Sequence, residues 1–126
     1  MAKRKKRADT SDFLSEIIIK GIQDKKGKDI VSLNLKNIEH AVTDYFIVCH
    51  GNSNTQVQAI AESVEDEVRK AIELKPWHRE GIQNAEWILL DYIDVVVHVF
   101  QESTRNFYQI ESLWADAEIK KIDEEN

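Results

Sequence analysis

Four histidines, one cysteine and two closely spaced aspartates are the side chains of this sequence best suited to chemistry. His40, His50, His78 and His98 show neither the His-x-x-x-His nor the His-Glu-x-x-His spacing that sets two imidazoles on one helix face around zinc. No carboxylate stands where a helix would bring it beside one of them, so no metal site is expected. Cys49 ends the apolar run Tyr45-Phe46-Ile47-Val48-Cys49. Nothing around it calls for the cationic, partly exposed setting of a reactive thiol, and it reads as a small core residue. Asp91 and Asp94 could hold a divalent ion for phosphoryl or nucleotidyl transfer, yet at hairpin spacing aspartate is ordinary turn chemistry. Gly51-Asn52-Ser53, after a strand and before a helix, could offer backbone N–H groups to an anion. Without the lysine and glycines of a phosphate loop, it reads as a tight turn and helix cap. No Ser-His-Asp or Cys-His arrangement has positional support. The expectation is a binding protein with no cofactor. A nucleotidyltransferase-like enzyme with a metal at Asp91 and Asp94 is the alternative.

The elements that would position these residues follow from periodicity. Leu14, Ile18 and Ile22, with Phe13 and Ile17 beside them, predict a helix over 12–26 that Ser11 caps and Gly27 stops. Val31, Leu33 and Leu35 alternate as one face of a strand over 29–35, and 45–49 has the length and continuity of a strand buried on both sides. Val57, Ile60, Ala61, Val64, Val68, Ala71 and Ile72 keep the 3.6-residue period of a second helix, closed near Pro76. Residues 77–85 read as a loop with room for one short strand. Strands over 86–90 and 95–100 follow at hairpin spacing. Ser103 or Thr104 then caps a last helix with Phe107, Ile110, Leu113 and Trp114 on one face. The acidic tail over 118–126 is expected to fray. The fold class is α/β (α+β): one domain over 11–117, order α-β-β-α-β-β-α, with a mixed sheet of four or five strands packed by three helices.

A chain of 126 residues has room for one core and no second domain. A content of 42% hydrophobic and 32% charged residues excludes the disordered and membrane classes. No apolar run approaches the ~18 residues of a spanning helix, and Asp9 and Asp12 fall where a signal peptide would be apolar. A single cysteine permits no internal disulfide. Together these predict a cytoplasmic protein. Charge is divided unevenly. Lys3, Arg4, Lys5, Lys6 and Arg7 form a basic arm within 1–10, expected to be solvated and mobile; setting them aside leaves 12 basic against 23 acidic side chains, a formal −11. Such a body suits a basic partner better than a phosphate backbone. The arm itself could touch RNA phosphates.

Alternation sorts the hairpin into faces. Val95, Val97 and Val99 pair with Ile88 and Leu90 as a clean aliphatic row for the core. Trp87, Leu89, His98 and Phe100 then share the other face, with Tyr92 at the tip. Either this face is open, as large amphipathic rings at protein contacts are, or a second layer covers it. The sequence leaves both standing.

Read in order, the motifs carry more than any one does. Asp24-x-x-Gly27-x-Asp29-Ile30-x-x-Leu33 precedes Thr43-Asp44-Tyr45-Phe46-Ile47-Val48, Gly51-x-Ser53 and Glu80-Gly81. Trp87-Ile88-Leu89-Leu90-Asp91-Tyr92, Asp94-Val95-Val96-Val97-His98-Val99-Phe100 and Arg105-x-Phe107-Tyr108-x-Ile110-Glu111-x-Leu113-Trp114 complete the series. This series, from about Phe13 to Ala117, resembles the ribosomal silencing factor (Iojap) family. The resemblance implies a nucleotidyltransferase-like fold without an established catalytic role. It also implies docking on protein fourteen of the large ribosomal subunit, which blocks joining of the small subunit and damps translation under nutrient limitation. Trp87 aligns with a contact tryptophan of the family. The hairpin argument extends the expected partner-binding set to Tyr92, His98 and Phe100, and Arg105 is added to it. A self-pairing sheet face would also permit a weak homodimer. Where the family commonly has glycine between Tyr92 and Asp94, this chain has Ile93, which implies a different turn.

Overall fold

The computed structural model describes residues 2–123, with side chains from Thr10 onward. Helix α1 spans Ala2–Asp24, strand β1 Lys28–Asn34, β2 Tyr45–Gly51, helix α2 Asn54–Ile72, and strands β3 His78–Glu80, β4 Trp87–Asp91 and β5 Val95–Gln101. A short α3 (Glu102–Tyr108), a 3-10 turn (Ile110–Trp114) and β6 (Glu118–Lys121) complete the chain. The strands form one six-stranded sheet in the order β3-β4-β5-β2-β1-β6. Only β2 and β5 run parallel; every other neighbouring pair is antiparallel.

Helices α1 and α2 cover one face. The aliphatic row of the hairpin meets them as expected: Ile88, Leu90, Val95, Val97 and Val99 join Ile47, Leu14, Ile18, Ile22, Ile60 and Val64 in one buried cluster. The two helices approach closely at Gly21, where a Cβ would stand 2.9 Å from the Val64 Cα, and Ser63 Oγ donates to the Gly21 carbonyl at 2.7 Å. On the opposite face a smaller cluster forms from Val31, Leu33, Leu35, Val48, Phe100 and Ile110.

Several boundaries differ from the expected ones. Helix α1 begins at Ala2 and not near residue 12, because the upstream stretch contains no helix breaker. Ser11 is therefore an interior, fully buried helical residue and not a cap. The side chains of Lys3 to Arg7 lie outside the described ones. The sheet has six strands and not four or five. His78–Glu80 adds an edge to β4, and Glu118–Lys121, expected to fray, pairs with β1 in register Val31↔Lys121 through Asn34↔Glu118. That pairing satisfies the otherwise open edge of β1, with a short and charged outer strand. Residues 124–126 of the tail lie outside the described ones. The last helix also divides. Gln109 takes a left-handed φ of 46°, so the expected single face is broken there: Ile110 turns in, while Phe107 and Leu113 stand 79% and 76% exposed.

Candidate functional site

The thinner face of the sheet holds most of the expected binding residues. Register sets Trp87 opposite Phe100, Leu89 opposite His98 and Asp91 opposite Val96, so all six share that face. Of the two readings left by the sequence, cover prevails over the middle of the row. Phe100 is fully buried and His98 nearly so, beneath Phe46 (ring centroids 4.8 Å from His98), Ile110 and Trp114. The reading in which His98 and Phe100 stand on an open face is set aside in favour of the covered one, because the chain after β5 folds back over them.

Trp87 remains half-buried at the margin of this cover. Its indole Nε1–H donates to His98 Nδ1 at 3.1 Å, and its ring lies 4.8 Å from Phe100 and 5.0 Å from Tyr108. Because Nδ1 accepts, the neutral His98 ring carries its proton on Nε2, which is buried without a partner among the described residues. Burial disfavours the imidazolium and lowers the His98 pKa to about 4. The ring is therefore a neutral acceptor at neutral pH, and it fixes the rotation of the indole.

Glycine sets the entry to β4. Gly81 has φ 79°, and a Cβ there would lie 2.0 Å from the Trp87 carbonyl oxygen. Only glycine lets the loop pass this close, which fixes the start of the strand that carries Trp87. Tyr108 and Phe107, in edge-to-face contact at 5.0 Å, extend the aromatic surface outward and are 51% and 79% exposed. Neither was expected at the site. The signal was available in Phe107-Tyr108 following Arg105, but helical phase assigned Phe107 to the core.

Tyr92 and Arg105 take other places. Tyr92 is 5% exposed and belongs to the large core under α1 and α2, not to the hairpin tip. Burial pushes its phenol well above the usual tyrosine range. The turn instead exposes Ile93, whose φ of 76° swings the chain so that Tyr92 goes in. The Arg105 guanidinium is buried and directed inward: Nη2 pairs with Glu111 at 2.8 Å, and Nη1 donates to His50 Nδ1 at 3.0 Å and weakly to the Lys28 carbonyl at 3.4 Å. It clamps α3 and the 3-10 turn to β1 and β2.

The candidates for chemistry resolve into structural roles. Cys49 is buried, and desolvation pushes its thiol up to about 12. Ser53 Oγ accepts from Gln56 N at 3.1 Å while Gln56 Oε1 accepts from Asn52 N at 2.7 Å. These reciprocal bonds make Ser53 the N-cap of α2 and hold the turn that leads into it. Asp91 Oδ1 accepts from Ile93 N at 2.8 Å and closes the turn. Among the described residues no group of three or more His, Cys, Asp or Glu side chains could hold a metal ion. None of the described helices is long and apolar enough to cross a membrane.

The model of the family described as "Ribosomal silencing factor during starvation" matches residues 8–126. The ribosomal silencing factor of Bacillus subtilis is 45% identical over 101 residues, covering 79% of this chain and 83% of its own. That of Halalkalibacterium halodurans is 43% identical over 105 residues, covering 82% and 87%. A crystal structure of a protein from Chromobacterium violaceum superposes with a TM-score of 0.78 at 38% identity, covering 82% of this chain and 85% of the other.

Proposed function

The chain belongs to the ribosomal silencing factor family, whose members are not enzymes, and from that premise we propose that it silences ribosomes by docking on protein fourteen of the large subunit and excluding the small one. The observation that carries this reading is the aromatic surface around Trp87. Trp87, Tyr108 and Phe107 form a contiguous set of rings, half-buried to exposed, at the margin of a sheet face. Large rings held rigidly contribute most to interface energy. Here His98 fixes the indole from below, Phe100 supports it, and Gly81 fixes its strand.

In this reading Trp87 is the anchor and Tyr108 and Phe107 extend its contact. His98, Phe100, Tyr92 and Arg105 act from beneath the surface by holding the hairpin and α3 in place. A steric blocker needs only a specific contact of ~800 Å² on its own side. The acidic body favours encounter with a basic ribosomal protein and is consistent with a cytoplasmic role. Lys3, Arg4, Lys5, Lys6 and Arg7 are residue types suited to contact with ribosomal RNA phosphates. In the free protein the same apolar surface could pair weakly with a second copy.

The test is co-sedimentation with isolated large and small subunits, wild type beside Trp87→Ala. The wild type should travel with the large subunit and prevent joining, and the folded variant should do neither. A folded Trp87→Ala protein that binds with unchanged affinity would remove Trp87 from the surface.

A further inference from the structure

The same sheet face has a second unusual end. Where the β4–β5 turn closes, Val42, Trp77 and Ile93 stand 92%, 74% and 55% exposed. With Thr43, Asp91 and Val96 they line an open cavity of about 380 Å³. Ile93 points outward only because it holds φ 76°, a conformation that β-branched residues rarely adopt. Such strain, where it persists, clusters at ligand clamps and other functional positions.

The polar groups of the cavity point to its occupant. One oxygen of Asp91 accepts the Ile93 N–H, and the carboxylate makes no ion pair among the described residues. Thr43 Oγ1 is buried and has no hydrogen-bond partner among them. A purely apolar surface laid over this cavity would bury the Asp91 charge unpaired, which is costly. A carboxylate inside an apolar collar instead favours a cation carried on an aliphatic stem.

We propose that this cavity receives a lysine or arginine side chain projected by the basic ribosomal protein on which the chain docks. Its methylenes lie against Val42, Ile93 and Trp77, and its charged head meets Asp91. The Trp77 ring offers the cation a π face, and the Thr43 hydroxyl offers one more acceptor. The assignment rests on the docking reading above and gives it a second, charge-selective anchor. Trp87 and Asp91 stand at opposite ends of β4 on one face, roughly 13 Å apart along the strand, with half-buried Leu89 between them. One partner surface of standard size can cover both. The excess of acidic over basic side chains in the body supplies the complementary long-range field.

Asp91→Asn tests the charge without the shape, since the amide oxygen can still accept the Ile93 N–H. Binding to purified large subunits is measured at two salt concentrations for wild type, Asp91→Asn, Trp77→Ala, Trp87→Ala and Glu62→Gln. Glu62 lies on the exposed side of α2, away from this face, and controls for net charge. Asp91→Asn should raise Kd roughly tenfold at low salt and flatten its salt dependence. Trp77→Ala should raise it several-fold, and Glu62→Gln should leave it unchanged. Asp91→Asn binding like wild type at both salts overturns the proposal, as does equal weakening by Glu62→Gln. If Trp87→Ala loses binding while Asp91→Asn and Trp77→Ala do not, docking stands and this cavity has no part in it. If the wild type itself fails to travel with the large subunit, both readings fall.

Discussion

The two faces of the sheet are built on different principles. Under α1 and α2 the side chains are mostly aliphatic, the helices touch through Gly21, and the polar residues buried on the helices are the small serines Ser11, Ser15 and Ser63. On the other face the cover is a seven-residue helix and a 3-10 turn, the packing is aromatic, and His98 and Arg105 are buried within it. The first arrangement maximises burial per residue. The second spends some of that burial on holding a few rings at fixed angles to solvent. Stability and recognition are thus separated across one sheet, and a substitution should affect one much more than the other according to its face.

The largest expected effect lies on the helical face. Ile60→Ala removes a fully buried side chain and should cost about 3–4 kcal/mol of unfolding free energy, while the folded fraction binds large subunits normally. Denaturant unfolding beside a binding isotherm checks both halves. Equal losses in both would erase the distinction between the faces.

Acid should act through the aromatic face. The His98 pKa is lowered from the ordinary 6.5 to about 4 in the folded protein, so the unfolded chain binds the extra proton first. The stability this group contributes is present above pH ~6.5 and is lost as pH falls toward ~4, up to about 3 kcal/mol. His98→Phe should flatten that part of the pH–stability curve. It should also release the indole N–H, which the Trp87 Nε1–H resonance in an NMR spectrum would report. A pH curve identical in the variant would mean that His98 is not the group responsible.

Next comes the effect on affinity. Trp87→Ala should weaken large-subunit binding by about 2 kcal/mol or more, roughly thirtyfold, with a smaller change in unfolding free energy than Ile60→Ala produces. The smallest effect has the opposite sign. Ile93→Gly relieves a left-handed β-branched residue at the tip of the hairpin and should stabilise the fold by about 0.5–1 kcal/mol, seen as a rise in melting temperature of a few degrees. A fall would show that the exposed Ile93 side chain packs more favourably than its backbone is strained.

Much of the helical face was legible beforehand. The 3.6-residue period placed Val57, Ile60, Val64 and Val68 inward, and alternation assigned Val95, Val97 and Val99 to the same core with Ile88 and Leu90. The elements least legible were those without a periodic signal: residues 77–85 were read as a loop with room for one short strand, whose place was left open, and the tail over 118–126 was expected to fray. The residues of edge strands His78–Glu80 and Glu118–Lys121 are all exposed, and these strands exist chiefly because a neighbouring strand offers unpaired backbone groups, not because their side chains form part of a core. Helical phase misassigned Phe107 and Leu113, because a single left-handed residue, Gln109, resets the phase between α3 and the turn after it.

The sequence by itself determined the family, the aliphatic core and the membership of each sheet row, since all three depend on local order and on the fixed two-residue and 3.6-residue periods of the backbone. Only the tertiary structure decided which members of the aromatic row meet solvent. Trp87, His98 and Phe100 share one sheet face, yet the returning chain after β5 covers the last two and leaves the first at the margin. Parity fixes the side of the sheet to which a residue points; whether anything lies on that side depends on contacts made between distant parts of the chain.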